Sequence, residues 1–98
     1  MFDRIYLTTT LPYVNADPHL GFALEIVQAD ILARHHRALG REVFFNTGTD
    51  EHGLKIYRQA VAAKQMPQTY VDTYARRFQK LKPALNLSYD YFSRTTDS

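Results

Sequence analysis

At 98 residues the chain has room for one small domain, of a size that buries only part of its apolar surface. Hydrophobic residues are 45% and charged residues 22%, which excludes a disordered segment, and a net charge of +2 from 12 basic and 10 acidic residues excludes a dedicated nucleic-acid-binding tract. Cysteine is absent, which excludes disulfides and thiolate zinc sites within the chain and fits a reducing compartment; no apolar run reaches membrane-spanning length and Asp3-Arg4 breaks any leader pattern, so a cytoplasmic protein without membrane contact is expected.

Ile5 to Thr10 reads as the first strand, with a nearly continuous apolar run at Ile5-Tyr6-Leu7. Leu11 to Pro18 is a loop stiffened by Pro12 and Pro18, in which Asn15 and Asp17 are turn or N-cap residues and Pro18 fits the first helical position. A helix over Pro18 to Leu39 carries a buried stripe of Leu20, Leu24, Val27, Ile31 and Ala38, flanked by Ala23 and Ile26. Gly40 ends it as a C′ glycine, with Arg34, His35, His36 and Arg37 in its last turn. Glu42 to Thr47 is a second strand, and Gly48 to Gly53 a second loop. Leu54 to Lys64 is a short helix with Leu54, Tyr57 and Val61 on its inner face. Pro67 opens a third helix with Val71, Tyr74, Phe78, Leu81 and Leu85 on its stripe, which Pro83 should kink or end. Tyr91 to Thr95 is the third strand. The alternation predicts a parallel α/β sheet with right-handed crossovers.

Ligands bind such sheets beyond the carboxyl ends of the strands. Both loops and the tail after Thr95 lie at that edge, so their polar residues belong to one site. His19, at a helix start beside Gly21, fits an anion site made of unpaired backbone N–H groups and the positive end of the helix dipole, with Gly21 letting a flat ligand approach the backbone. Phe22 offers no donor and either packs beside Phe44 or Phe45 or shapes the site. Asp50 is either the cap of the second helix or a counter-charge for an ammonium group. Glu51 and His52 are either exposed first-turn residues or direct contacts. Tyr13 is either a loop aromatic covering the sheet edge or a pocket wall. His35 and His36 are solvated helix-end residues with no metal role, and Tyr70, Val71, Tyr74 and Phe78 are core packing.

His19-Leu20-Gly21-Phe22 resembles the HIGH signature of class I aminoacyl-tRNA synthetases. Thr10-Leu11-Pro12-Tyr13-Val14-Asn15 and Thr47-Gly48-Thr49-Asp50-Glu51-His52-Gly53 resemble the methionyl-tRNA synthetase family within that class. Phe92-Ser93-Arg94-Thr95-Thr96-Asp97 is similar to the stretch before that family's connective insertion. The likeness runs from about Ile5 to the last residue, and Phe22 departs from the usual signature His.

The resemblance implies a Rossmann-like (HUP-type) three-layer fold, of which residues 1–98 form the N-terminal half of the catalytic domain. The connective segment, the second catalytic half and the anticodon-binding helices would lie outside this chain. It implies activation of methionine with ATP to methionyl adenylate, then transfer to tRNA(Met). It further implies ATP contacts from Pro12, Tyr13, Asn15, His19, Gly21 and Phe22, with His19 catalytic at the phosphates and Gly21 beneath the adenine. Methionine contacts would come from Leu11, Tyr13 and Asp50, the last on the amino group. ATP would enter with Mg2+, and zinc would belong only to the connective segment. Self-association of the isolated piece is expected. Other class I synthetases, a nucleotidyltransferase of the same superfamily and a non-catalytic binding module are the alternatives.

Overall fold

The strands of this protein read their two faces from residue alternation, and the register shows which face is which. The computed structural model describes residues 3–97. They form β1 (Arg4–Thr8), α1 (Leu20–Ala38), β2 (Glu42–Thr49), α2 (Leu54–Ala62), α3 (Pro67–Gln79), α4 (Leu81–Leu85) and β3 (Tyr91–Arg94). The three strands pair in parallel in the order β1-β2-β3. Leu7 pairs with Phe45 and Thr47 with Phe92, on the side that carries the core. Tyr6 pairs with Phe44, and the two rings stack at 5.8 Å on the opposite, solvent-facing side.

Both crossovers step the same way along the sheet. Right-handed connections then place their helices on one face, and a single core joins Phe22 and Ile26 of α1, Ile56 and Ala60 of α2, Tyr70, Val71 and Phe78 of α3 and Phe45 of β2. The described residues thus build two of the three layers of the expected α/β fold, a sheet and one helical cover.

The element boundaries shift from the sequence expectation for local reasons. β1 ends at Thr8, because Thr10 turns away to bond Glu25 through both its N–H (3.1 Å) and its hydroxyl (2.7 Å). β2 continues to Thr49, so Gly48 is a strand residue and not part of a loop. A Cβ at Gly48 would overlap the Ser93 carbonyl of β3, so glycine is what lets the two strands approach. β3 ends at Arg94. The third predicted helix breaks at Lys80, where Pro83 removes the donor that would continue the ladder, and α4 closes on Asn86 in the left-handed region.

The buried stripe of α1 is Phe22, Ile26, Asp30 and Ala33; Val27 of the predicted stripe packs against the core and Ile26 was expected beside it, but the centre of the stripe is displaced. Leu20, Leu24 and Ile31 are all largely exposed. The true stripe contains Asp30, which accepts hydrogen bonds from the Ser88 N–H (2.7 Å), the Ser88 hydroxyl and Arg34 Nε (2.8 Å). A carboxylate satisfied this way can be buried, but it hides the stripe from a reading based on apolar periodicity. In α2 likewise, Ile56 and Ala60 face inward while Leu54, Tyr57 and Val61 face out.

Candidate functional site

The loop between β1 and α1 is held on three sides. Thr9, buried at its start, shares a 2.6 Å hydrogen bond with the Thr47 hydroxyl of β2. Farther along, α3 pins it: Arg77 pairs with Asp17, and the Tyr70 hydroxyl, which donates to Gln59 Oε1 (2.8 Å), lies 3.5 Å from the Asn15 carbonyl. In its middle the loop runs beside the end of β2. The Asp50 N–H donates to the Pro12 carbonyl (2.8 Å), the Val14 N–H donates to the Asp50 carbonyl (3.3 Å), and Tyr13 and Asp50 form a parallel bridge. Val14 is fully buried while Tyr13, next to it, is mostly exposed.

His19, not Asp17, is the N-cap of α1, and Leu20 rather than Pro18 is the first helical residue. The Nδ1 of His19 accepts from the N–H groups of Gly21 (3.0 Å) and Phe22 (3.4 Å). Two of the backbone donors that the sequence assigned to an anion are therefore occupied by the imidazole. In exchange, with Nδ1 as acceptor the ring carries its N–H on Nε2. That nitrogen makes no hydrogen bond among the described residues, and the side chain is exposed. Gly21 has a role closer to home than a nucleotide: a Cβ there would lie 2.9 Å from His19 Cε1 and 3.1 Å from Nδ1. Its missing side chain is the space that the capping ring fills.

Phe22 is buried, and its ring meets Phe78 edge-to-face at 5.5 Å, a partner other than the predicted Phe44 or Phe45. Its side chain is a core residue beneath the cap. Leu11 and Pro12 are half-buried in the loop.

Asp50 is not the cap of α2. That position is Gly53, with φ at +133°, a value that favours glycine. The Asp50 Oδ1 accepts from the His52 N–H (3.2 Å), while Oδ2 has no partner among the described residues. His52 is itself fixed, with Nε2 donating to the Thr95 carbonyl at 2.9 Å. Tyr13, Asn15, His52 and Gly53 line a shallow hollow closed by the first turn of α2.

Glu51 follows neither sequence expectation. Its side chain is fully buried and forms a bidentate pair with Arg94, Nε to Oε2 at 2.7 Å and Nη2 to Oε1 at 2.8 Å. The hydroxyls of Thr49 and Thr96 add a 2.7 Å bond each, and Arg94 also reaches Asp72 of α3. Burial would raise the Glu51 carboxyl, but the bonds from Arg94, Thr96 and Thr49 outweigh it and hold the group below the usual carboxylate range. Asp72 has no place in the sequence reading, and Arg94 enters it only within the stretch Phe92 to Asp97, with no role of its own. They stand far from Glu51 along the chain, and no local pattern announces the pairing.

Among the described residues, no group of three or more His, Asp or Glu is placed to hold a metal ion, and no helix is long and apolar enough to cross a membrane. The family model for tRNA synthetases class I (M) matches residues 5–98. The chain belongs to that family. It is similar to methionine–tRNA ligases, at 47% identity over 94 residues with the protein of Thermotoga maritima (96% of this chain, 15% of that one). With the protein of Thermosynechococcus vestitus the identity is 53% over 96 residues (98% and 18%). The solved structure of Mycobacterium tuberculosis methionyl-tRNA synthetase in complex with methionyl-adenylate superposes with a TM-score of 0.96 at 42% identity, covering 99% of this chain and 19% of that chain. This class I synthetase chain therefore spans less than a fifth of the length of these relatives.

Proposed function

We propose that this chain is the first part of the catalytic domain of a methionine–tRNA ligase acting in the cytoplasm. The complete enzyme would join methionine to ATP, giving methionyl adenylate and pyrophosphate, and then pass the methionyl group to tRNA(Met). One observation carries the reading. A capping His19 with a free Nε2 and an Asp50 with a free carboxylate oxygen are set in neighbouring loops at the same sheet edge, in a chain that resembles methionine–tRNA ligases over nearly its whole length.

The roles follow from these groups. The methionine carboxylate attacks the α-phosphorus of ATP and pyrophosphate leaves, so the chain needs to supply positioning and charge stabilisation but no nucleophile. His19 Nε2–H donates to phosphate oxygens as charge builds on them. The free Oδ2 of Asp50 meets the methionine ammonium group. Leu11 and Tyr13 border the amino acid, and Pro12, Tyr13, Asn15 and Gly21 border the nucleotide. Phe22 supports the site from the core. Mg2+ arrives as part of the ATP substrate, and zinc is assigned to the connective segment outside this chain.

The test is methionine-dependent ATP–pyrophosphate exchange by the full-length enzyme. Asp50→Ala should raise the KM for methionine far more than that for ATP. Equal losses for both substrates would contradict the assignment of Asp50, and exchange that does not depend on methionine would contradict the whole reading.

A further inference from the structure

Behind the loop that carries Asp50 lies a charged cluster with no part in the chemistry above. The Glu51 carboxylate accepts four hydrogen bonds, two from Arg94 and one each from Thr49 and Thr96, and its N–H donates to Thr95 Oγ1 at 2.8 Å. Arg94 divides its guanidinium between Glu51 and Asp72. A buried ion pair adds little net stability relative to apolar residues of the same shape. What a forked guanidinium–carboxylate pair supplies is direction, because its two parallel bonds fix both planes.

That direction is passed on through the backbone. Glu51 is bonded to Asp50, and Asp50 is stitched to Pro12 and Val14 of the first loop. On the other side, the Thr95 N–H donates to the Thr49 carbonyl (3.3 Å) and His52 reaches the Thr95 carbonyl. The end of β3, the second loop and the first loop are therefore one hydrogen-bonded unit; Arg94, bonded to Asp72, joins its β3 end to α3, as Arg77 joins the first loop to the same helix. Two carboxylates also neutralise Arg94, so its charge does not compete for Asp50.

We propose that Arg94 is a positioning residue for amino-acid recognition: by clamping Glu51 between β3 and α3 it sets the orientation in which Asp50 presents its free carboxylate oxygen to the methionine ammonium group. This inference rests on the role given to Asp50 above, and its test separates the two.

The experiment measures pyrophosphate exchange by the full-length enzyme carrying Arg94→Met, Asp50→Asn and both together, with thermal unfolding recorded for each. Arg94→Met should raise the methionine KM about tenfold, as expected for a misdirected contact, while the ATP KM stays within about twofold. Added to Asp50→Asn it should raise the methionine KM no further, because its effect passes through Asp50. Arg94→Lys, which keeps the charge but loses the fork, should show a smaller rise in the same KM alone, and it serves as the test if Arg94→Met does not fold. A folded Arg94 variant with unchanged methionine KM, with both KM values raised alike, or with an effect that adds fully to Asp50→Asn overturns the positioning role. An Asp50→Asn enzyme with unchanged methionine KM overturns the role of Asp50, and the positioning role with it.

Discussion

His19 illustrates how one residue can serve the backbone and still keep a donor for a ligand. Its Nδ1 closes the first turn of α1 and Nε2 is left outward. Removing it should cost on both counts. In the full-length enzyme His19→Ala should lower the adenylation rate roughly 10²–10³-fold and weaken the helix start by about 1 kcal/mol, with methionine affinity nearly intact. A wild-type exchange rate would refute the phosphate role. Gly21→Ala probes the orientation of the imidazole while leaving His19 itself in place. The added Cβ meets the His19 ring at 2.9 Å, so the ring must leave its capping position, and the exchange rate should fall while methionine KM holds. Phe22 belongs to the core, packed on Phe78. Phe22→Ala should cost about 3–5 kcal/mol of stability, the usual range for a buried Phe, visible as a lower Tm of the full-length protein.

The loop after β2 shows what holds an irregular segment in one conformation. Asp50, Glu51 and His52 each bond a different element: the first loop, Arg94 of β3 and the Thr95 carbonyl. Acid should loosen this arrangement. Glu51 has a folded-state carboxyl below its ordinary value of 4.5, its burial outweighed by the bonds from Arg94 and the two threonines. Arg94 holds Asp72 down in the same way. Groups depressed in the folded state stabilise it above their unfolded value and lose that contribution as pH falls through the folded one. The Tm advantage of wild type over Glu51→Gln in the full-length enzyme should be constant from pH 7 to about 5.5 and shrink below about 4.5. An advantage that persists unchanged at pH 3 would mean that the pair contributes nothing through its charge.

The molecule as a whole is a parallel sheet covered on one side. Tyr6, Phe44 and Tyr91 stand on the open face with about half of their surface exposed, and β1 has a free edge beyond it. Parallel sheets are stable when both faces are covered, and open edges and apolar patches invite association. A purified chain of these 98 residues should therefore self-associate, which sedimentation would detect as species larger than 11.4 kDa. It should charge tRNA more than tenfold more slowly than the full-length enzyme, because the proposed nucleotide site lies at the carboxyl edge of a sheet of which this chain supplies one part. Charging within about tenfold of the full-length rate, a barrier difference of only ~1.4 kcal/mol, would show that the rest of the catalytic domain is dispensable.

Much of this was legible in the amino-acid order. The β-branched runs, the prolines and Gly40 mark the alternating elements and the parallel sheet, because strand and helix patterning are short-range properties. Gly40 does end α1 in the left-handed region, at φ +80°, with the Arg41 N–H returning to the His36 carbonyl. The parallel topology implied that the loops after β1 and β2 meet at one edge, and the bridge between Tyr13 and Asp50 is such a meeting. The inward faces of α1 and α2 were not legible, because each helix has a competing apolar stripe and the true stripe of α1 is disguised by Asp30, whose partner Ser88 lies far along the chain. The cap of α1 was misplaced because imidazole is an uncommon cap and the more usual Asp17 stood nearby; what decided it was the room above Gly21. Glu51 and Arg94 could be paired only in three dimensions. Their attraction is short-ranged in space and carries no spacing along the chain, so nothing in the local pattern of either could name the other.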